Sequence, residues 1–302
     1  MMKHSTSAVL VDVTRENAEF WNTLAGTQLA ESLGLRDFSS EALARFDREY
    51  FDYYPYLLEY VDLPGMRNKK VVEIGLGYGS LGQKIAEAGA EYLGMDVAQQ
   101  PVTLLNQRLR INGLQGRAMQ ASMLECPLPS EAYDRVVSIG CFHHTGDTQR
   151  CIDETYRILK PGGTAVIMVY NLYSYRQWHK WPGRTLAAWW RSLLGRDGIL
   201  RGNEAQRYAY DRADATGQAA PETAFLSSGQ LRKMFGRFSA VTVRKENCNS
   251  FCHSLTLEWP KGADAEAAGR AAIRVDLLLK RRNLLKSLGR RLGLDLYVTA
   301  TK

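Results

Sequence analysis

The sequence predicts an α/β protein built on a doubly wound, mostly parallel sheet. Between residues 70 and 170, short apolar and β-branched runs alternate with amphipathic stretches of helical length, and glycines mark most of the turns. This alternation is typical of parallel sheets whose strands are joined by helices. A chain of 302 residues with 45% hydrophobic residues is long enough to bury the core of such a domain.

The elements of this core, residues 70–170, follow in a regular order. Strands are predicted at Val71–Ile74, EYLGMDV, GRAMQAS, YDRVVSIG and TAVIMVY, helices at SLGQKIAEAGA, PVTLLNQRLRINGL and DTQRCIDETYRIL, and a turn at KPGG. In open parallel sheets, ligands bind at the carboxyl ends of the strands. The residues that directly follow each strand are therefore the candidates for a binding site.

Two further segments surround this core. Residues 1–69 are predicted to form an N-terminal helical cap, in which Pro55 breaks the helical pattern. The alternation stops at Asn171, and residues 171–236 are predicted to be a helical insertion that covers the substrate as a lid. Residues 237–302 return to a strand pattern in FSAVTVRKE and LDLYVTATK, so we expect the last strands there, with an intervening helix.

The net charge of +7 is unevenly distributed. Residues 171–220 hold eight basic and four acidic side chains together with four of the six tryptophans. Such a balance allows nucleic acid, an anionic membrane surface or an anionic small substrate, and does not choose among them. The stretch RQWHKWPGRTLAAWWRSLLGR fits either a lid packed on the core, which we favour, or a helix lying in a membrane interface.

Other classes of protein fit the sequence less well. No apolar stretch approaches the roughly 20 residues of a membrane span, so stable membrane insertion is not expected. The five cysteines show no paired framework, which indicates a reducing, cytoplasmic location. CNSFCH, at 248–253, lacks a second ligand pair at zinc spacing, and no metal is predicted.

The loop after the first strand indicates what the protein binds. A dinucleotide loop carries G-x-G-x-x-G, but here the third glycine position is Ser80. Glu73, two residues before Gly75, would repel a pyrophosphate and suits a cationic ligand that is rich in donors. S-adenosylmethionine has a sulfonium, an ammonium group and a ribose diol. Asp96, 21 residues after Gly75, can accept hydrogen bonds from both ribose hydroxyls, and Val97 can pack on the adenine.

With VVEIGLGYGS, Asp96, YDRVVSIGCFHH and ILKPGG in this order, the chain resembles the class I S-adenosylmethionine-dependent methyltransferases, in particular the small-molecule group with a type-11-like domain. The resemblance covers about residues 65–170 and, more loosely, 221–245 and the final strand, and it implies a Rossmann-like core. One position departs, because Ser122 stands where the family often has an aspartate that meets the adenine. The cofactor residues implied are Glu73, Gly75, Gly77, Gly79, Asp96, Val97, Ser122, Met123 and Gly140.

The acceptor end is less defined by the sequence. His143 and His144 follow the fourth strand, and either is a candidate general base, since histidine titrates near neutral pH. In the family such a pair often only shapes the pocket, and both readings stay open. Aromatic and polar side chains on two sides of the predicted mouth are candidates for substrate contact: Tyr50, Tyr53, Tyr170, Asn171 and Tyr173.

These observations predict transfer of a methyl group from S-adenosylmethionine to an O, N or S atom of a small, possibly anionic, metabolite. Two alternatives are a nucleic-acid methyltransferase and an enzyme that methylates a lipid-like acceptor at a membrane surface. GCFHH replaces the Pro-Pro-aromatic motif with which base-amino methyltransferases grip a flipped base, and no RNA-binding module is visible. A small-molecule substrate, and no nucleic acid, is therefore the expected partner.

Overall fold

The computed structural model describes residues 13–23, 29, 33–35, 38–196, 198–211, 217–248 and 288–302. A seven-stranded sheet lies at its centre, in the order β3-β2-β1-β4-β5-β9-β8. The strands are β1 (Lys70–Ile74), β2 (Glu91–Asp96), β3 (Arg117–Gln120), β4 (Tyr133–Ile139), β5 (Leu159–Tyr170), β8 (Ala240–Glu246) and β9 (Asp295–Thr301). A separate two-stranded sheet pairs β6 (Leu200–Arg201) with β7 (Ala224–Phe225).

The directions of the strands make the large sheet mostly parallel. β1 to β5 pair in parallel, whereas β9 runs antiparallel to both of its neighbours, β5 and β8. β9 is therefore the one reversed strand of this sheet. The predicted doubly wound, mostly parallel sheet is confirmed.

Helices connect the strands and cap the sheet. The cap contains α1 (residues 13–21), α2 (Ser40–Tyr53) and α3 (Leu57–Val61). The core crossovers are α4 (Ser80–Glu87), α5 (Gln99–Ile111) and α6 (Thr148–Ile158). After β5 come α7 (Tyr175–Lys180), α8 (Pro182–Leu193), α9 (Glu204–Tyr210) and α10 (Ser228–Met234).

The two faces of the sheet bury separate layers of apolar side chains. In β1, Val72 and Ile74 belong to a cluster that includes Ile152 of α6, whereas Val71 belongs to a second cluster that includes Ile85 of α4 and Leu105 of α5. Successive strand residues point to opposite faces, so helices on both sides explain why β1 is buried at every position after Lys70. This arrangement leaves the carboxyl ends of the strands for a ligand.

The turn predicted at KPGG lies inside β5. Tyr133 pairs with Leu159 and Arg135 pairs with Thr164, so residues 160–163 form a bulge within a longer strand. Gly162 has a φ of +76°, a conformation that glycine adopts without strain. The strand therefore begins earlier than the sequence pattern indicates.

The predicted lid boundary at residue 236 also differs from the packing. Leu226, Leu231 and Phe235 are buried in the same cluster as β4 and β5. Leu172, Leu200 and Phe225 instead form a smaller cluster of their own. The segment that leaves the core is thus nearer to residues 172–223, and α10 is a core helix that leads into β8.

Most of the helix predicted between β8 and β9 lies outside the described residues, which show only a helical turn at 288–292. Of the CNSFCH segment, Cys248 is buried, and Cys252 and His253 lie outside the described residues. None of the helices in the described parts of the chain combines the length and hydropathy needed to cross a membrane.

Candidate functional site

A cavity opens at the carboxyl ends of β1, β2, β4 and β5. The cap and the insertion close it from two sides. The lining residues used below are Asn17, Trp21, Phe46, Tyr50, Tyr54, Glu73, Gly75, Gly77, Tyr78, Ser80, Asp96, Val97, Ser122, Met123, Gly140, Cys141, His144, Tyr170 and Asp211. The predicted cofactor residues meet here, with the exception of Gly79, which is not among the lining residues.

The glycine loop approaches the end of β4 closely. Gly75 has a φ of +82°, and a Cβ placed there would lie 2.6 Å from Cβ of Cys141. Gly77 has a φ of +49°, and a Cβ there would meet no atom within 4 Å. Gly75 is therefore required by packing and backbone conformation together, whereas Gly77 is required by backbone conformation alone.

Glu73 is a buried carboxyl at the end of β1. The hydroxyl of Tyr92 donates a hydrogen bond to its Oε2 at 2.5 Å. Burial raises the pKa of Glu73 to about 8, and the charge of Asp96 adds to this, while the hydrogen bond from Tyr92 opposes it. A cationic ligand in the cavity would favour the ionised form of this carboxyl.

Asp96 ties two backbone segments to the end of β2. Its Oδ2 accepts a hydrogen bond from the N–H of Leu76 at 2.7 Å, and its Oδ1 accepts one from Ala98 at 2.8 Å. Burial raises the pKa of Asp96, and these backbone hydrogen bonds oppose the shift. Each oxygen keeps one lone-pair site, so the carboxylate can still accept the hydroxyls of a ribose.

The region predicted to hold the adenine is mainly apolar. Val97 and Met123 line it, and Ser122 lies beside them. The hydroxyl of Ser122 accepts the N–H of Leu124 at 3.2 Å and caps a short 3₁₀ turn, Met123–Glu125. Ser122 therefore has a structural hydrogen bond in addition to its predicted contact with adenine.

The acceptor end of the cavity contains His144, which is buried beneath α1. Asn17 donates a hydrogen bond from Nδ2 to the backbone oxygen of His144 at 2.7 Å, and the indole of Trp21 lies 5.1 Å from the imidazole, centroid to centroid. Nδ1 of His144 lies 2.7 Å from the carbonyl oxygen of Glu222. Because a carbonyl only accepts, Nδ1 carries a proton, and in the neutral form of the imidazole Nε2 has a free lone pair.

Asp211 brings a carboxylate to the same place. It directly follows α9, whose start is fixed by a reciprocal capping box between Asn203 and Gln206. Its Oδ1 accepts a hydrogen bond from the hydroxyl of Tyr170 at 3.0 Å, and its Oδ2 lies 3.6 Å from Nε2 of His144. That second distance is too long for a hydrogen bond, and Oδ2 has no hydrogen-bond partner in the described part of the chain.

Burial raises the pKa of Asp211, and the charge that His144 carries when protonated, the hydrogen bond from Tyr170 and the charge of Arg176 oppose this shift. When His144 is neutral, its Nε2 and Oδ2 of Asp211 are two acceptors 3.6 Å apart, and one donor group placed beside both can be shared by them. A hydroxyl or an amine fits such a pair. An anionic group does not, because both atoms would repel it.

Several residues predicted for the acceptor end lie elsewhere. His143 is fully buried outside the cavity lining, with its ring 4.1 Å from the rings of both His144 and Tyr170. Burial, and then the neighbouring His144, hold the pKa of His143 well below its usual range. His143 therefore packs beneath the acceptor end of the cavity. This position differs from the one that a general base in contact with the acceptor would need.

Three substrate candidates are also outside the cavity lining, Tyr53, Asn171 and Tyr173. Asn171 donates to the carbonyl of Gly293 at 2.7 Å and accepts the N–H of Tyr173 at 3.0 Å, so its amide is used to join the insertion to the chain before β9. Tyr50 and Tyr170 do line the cavity. Their contact with substrate stays a prediction.

The sequence analysis missed Asn17, Trp21 and Asp211. Asn17 and Trp21 are four residues apart and therefore share one face of α1, a spacing that the sequence shows without indicating a ligand. Nothing near Asp211 in the sequence distinguishes it from other acidic residues, because its position depends on how the insertion folds back over β5.

Comparison with known proteins identifies the core. A methyltransferase domain family matches residues 72–167. Residues 72–167 are a methyltransferase domain. The predicted class I, S-adenosylmethionine-dependent domain of the type-11 group is thereby confirmed, and S-adenosylmethionine is the cofactor of this class.

Relatives of the methyltransferase domain act on different acceptors. The chain is 30% identical over 104 residues to demethylmenaquinone methyltransferase of Thermus thermophilus, covering 34% of this chain and 47% of that protein. It is 25% identical over 138 residues to a ubiquinone biosynthesis O-methyltransferase of Salmonella enteritidis, and the match covers 45% of this chain and 52% of that protein. Ribosomal RNA small subunit methyltransferase C of Alcanivorax borkumensis is 34% identical over 114 residues, and the match covers 36% of this chain and 34% of that protein.

The match is therefore partial, since the chain spans about half the length of the first of these curated relatives. Among solved structures, an S-adenosylmethionine dependent methyltransferase from Listeria monocytogenes aligns with a TM-score of 0.50 at 15% identity, over 83% of this chain and 96% of that one. This likeness supports the fold of the methyltransferase domain.

Proposed function

We propose that this protein transfers a methyl group from S-adenosylmethionine to an O, N or S atom of a small metabolite. The observation that carries the proposal is the composition of the cavity. Glu73 and Asp96 lie at the cofactor end and Asp211 lies at the acceptor end, and no lysine or arginine lines the cavity in the described part of the chain. Acidic groups without basic partners suit a cationic methyl donor.

The cofactor, when bound, supplies an electrophilic methyl group. Glu73, Asp96 and the glycine loop would hold it at the ends of β1 and β2. Val97 and Met123 would pack against its adenine. Tyr50 and Tyr54 present aromatic rings to the same cavity, where they exclude water and can stabilise a positive charge.

The chain's own contribution to the reaction lies at the acceptor end. We propose that Asp211 and Tyr170 orient the acceptor, while its nucleophilic atom attacks the methyl group in line. The proton of that atom passes to Nε2 of His144, because Nδ1–H is already donated to Glu222. Methyl transfer and loss of this proton leave a neutral methylated O, N or S atom.

The acidic lining changes the acceptor that we propose. The sequence analysis allowed an anionic metabolite, because arginines are frequent in the insertion. Among the described residues of the insertion, which leave out Arg212, no arginine lines the cavity. We therefore propose a neutral or amine-bearing acceptor, and the names of the quinone-pathway relatives are compatible with a phenolic one.

Calorimetry tests the cofactor part of this proposal. We expect binding of S-adenosylmethionine and of its demethylated product, and no binding of NAD. Glu73→Ala and Asp96→Ala should each weaken binding by about 1–3 kcal/mol, as lost charge-assisted hydrogen bonds do. Binding of NAD alone, or unchanged affinity in both variants, would contradict the proposed cofactor site.

A methyl-transfer screen over phenols, amines, thiols and carboxylates tests the acceptor part. Turnover of neutral or amine-bearing compounds supports it, and turnover confined to anionic compounds contradicts it.

The alternative, a nucleic-acid methyltransferase, is favoured only by the ribosomal RNA relative and the positive net charge. It predicts tight duplex or RNA binding that weakens steeply with salt, whereas we expect little binding at physiological salt. The predicted cytoplasmic location remains part of this proposal.

A further inference from the structure

Helix α8 turns its large apolar side chains toward solvent. Five residues at its exposed side and end form what we call the apolar patch. Their exposed fractions are 53% for Leu186, 40% for Trp189, 58% for Trp190, 61% for Leu193 and 57% for Leu194. Contiguous exposed apolar groups of this size mark an interaction surface rather than an ordinary protein exterior.

The orientation of α8 is fixed by small residues on its other side. Thr185 and Ala188 are its buried residues, and the hydroxyl of Thr185 lies 3.0 Å from the carbonyl oxygens of both Gln177 and Trp181, which share its one hydrogen as acceptors. Leu186, Trp189, Trp190 and Leu193 follow the i, i+3, i+4, i+7 spacing of one helical face. This spacing normally marks the core side of a helix, but here it faces away from the protein.

Basic residues flank the patch along the chain. Residues 171–196 contain five lysines and arginines and no aspartate or glutamate. Lys180, Arg191 and Arg196 are exposed, at the end of α7 just before α8, within the last turn of α8 and just beyond its end. An apolar face that carries tryptophans and is bordered by basic residues is the pattern of a helix that lies in the headgroup region of a bilayer.

We propose that the apolar patch docks this protein on the surface of an anionic lipid bilayer. Trp189 and Trp190 would enter the interface, where an indole buries its ring and keeps its N–H among polar groups. The lysine and arginines would contact anionic headgroups. α8 has 12 residues, so the helix lies along the surface and does not span the bilayer.

A second copy of the chain fits this surface less well. In a two-fold symmetric dimer each patch would meet the same patch, and the basic residues of both copies would be brought together. Nucleic acid would use the basic residues but would leave the five large apolar side chains exposed. The lipid surface is the partner that satisfies both features.

The proposal does not depend on the methyl-transfer reaction and is tested without an acceptor. The full chain is mixed with vesicles of phosphatidylcholine containing phosphatidylglycerol, or of phosphatidylcholine alone, and the bound fraction is measured by sedimentation. We expect the anionic vesicles to bind roughly tenfold or more tightly, with binding that weakens as salt is added. Tryptophan emission should shift to shorter wavelength on binding.

Matched variants assign the binding to the patch. The double variant Trp190→Glu/Leu193→Glu should lose binding, whereas Ile111→Glu, which alters an equally exposed apolar residue at the end of α5, should keep it. The triple variant Lys180→Gln/Arg191→Gln/Arg196→Gln should lose the preference for anionic lipid. All the altered side chains are exposed, so unfolding midpoints should stay close to that of the unaltered protein.

Three results would overturn the proposal. The first is the absence of binding to either vesicle. The second is equal affinity for the two lipid compositions, and the third is unchanged binding by the double variant. A dimer in solution that the double variant dissociates, with no vesicle binding, would identify a second copy of the chain as the partner instead.

Discussion

At the scale of single residues, Glu73 makes stability depend on pH. Its pKa in the folded protein is about 8, above its ordinary value of 4.5. Between these values the folded state holds a proton that the unfolded state has released, so stability is greatest below pH 4.5 and falls as pH rises toward 8. In urea unfolding without cofactor, Glu73→Gln should remove much of this decline.

The matched control is Glu91→Gln, which changes an exposed carboxyl at the other end of the neighbouring strand β2. It should leave the pH dependence as it is. Asp295, whose pKa is raised to about 7 by burial, contributes to the slope that remains in the Glu73→Gln variant. A variant of Glu73 with the same slope as the unaltered protein would show that this carboxyl is ionised throughout the range.

His144 is the residue on which the proposed proton transfer depends. His144→Gln should lower kcat by about 10²–10⁴-fold, because the amide cannot accept the acceptor's proton. The affinity for S-adenosylmethionine should change little, since the imidazole lies at the other end of the cavity. The measurement is the initial rate with an acceptor found in the screen, together with calorimetry of cofactor binding.

His179→Gln is the control for this change, since His179 is exposed on α7 and outside the cavity lining. It should keep the rate of the unaltered enzyme. Asp211→Asn separates orientation from proton transfer, because it should raise KM for a donor-bearing acceptor as well as lower kcat. If His144→Gln kept full activity, positioning alone would account for the reaction.

At the scale of elements, the docking of α2 on the core depends on one buried ion pair. Arg108 of α5 is 2% exposed, and its two terminal nitrogens donate to the two carboxylate oxygens of Asp47 at 2.9 Å each. Ser80, at the start of α4, donates to the same carboxylate at 2.5 Å. Phe46 stacks on Tyr78 of the glycine loop at 4.2 Å, so α2 and the cofactor loop form one packed unit.

Removing Asp47 should therefore affect both folding and cofactor binding. Asp47→Ala leaves the guanidinium of Arg108 buried without its partner and should lower the free energy of unfolding by about 3 kcal/mol. Affinity for S-adenosylmethionine should fall as well, because Ser80 lines the cavity. Urea unfolding and calorimetry measure the two effects.

Asp52→Ala, an exposed position on the same helix, is the control and should change stability by less than about 0.5 kcal/mol. Equal stability of the two variants would mean that the ion pair between α2 and α5 is not maintained in solution.

At the scale of the whole molecule, the cavity joins parts that are distant in the chain. Trp21 of the cap, Glu73 of the core and Asp211 of the insertion line the same space. Cofactor binding should therefore alter the surroundings of Trp21 and change its fluorescence. We expect Trp21→Phe to lose most of the emission change, and Trp190→Phe, on the exposed face of α8, to retain it. The same change in both variants would place the cap away from the cofactor.

The sequence by itself determined the core and its ligand class. Strand periodicity, glycine positions and the carboxylates at 73 and 96 are local features, because the backbone conformation of a turn and the end of a strand depend on neighbouring residues. The parallel order of β1 to β5 follows from the short helical crossovers between them. These features, together with the resemblance to the class I methyltransferases that they carry, predicted the methyltransferase domain and where its cofactor residues would meet.

The tertiary structure alone decided the acceptor end. His143 and His144 are adjacent in sequence, yet one is enclosed in packing and the other faces the cavity, since a 3₁₀ turn directs them differently. Asp211 reaches His144 only because the insertion returns across β5. The apolar residues on the exposed face of α8 have the same helical spacing as those on a buried face. The spacing alone therefore does not predict whether such a face packs against the protein or is exposed to solvent. Such contacts join residues far apart in the chain, so only the packed fold selects among them.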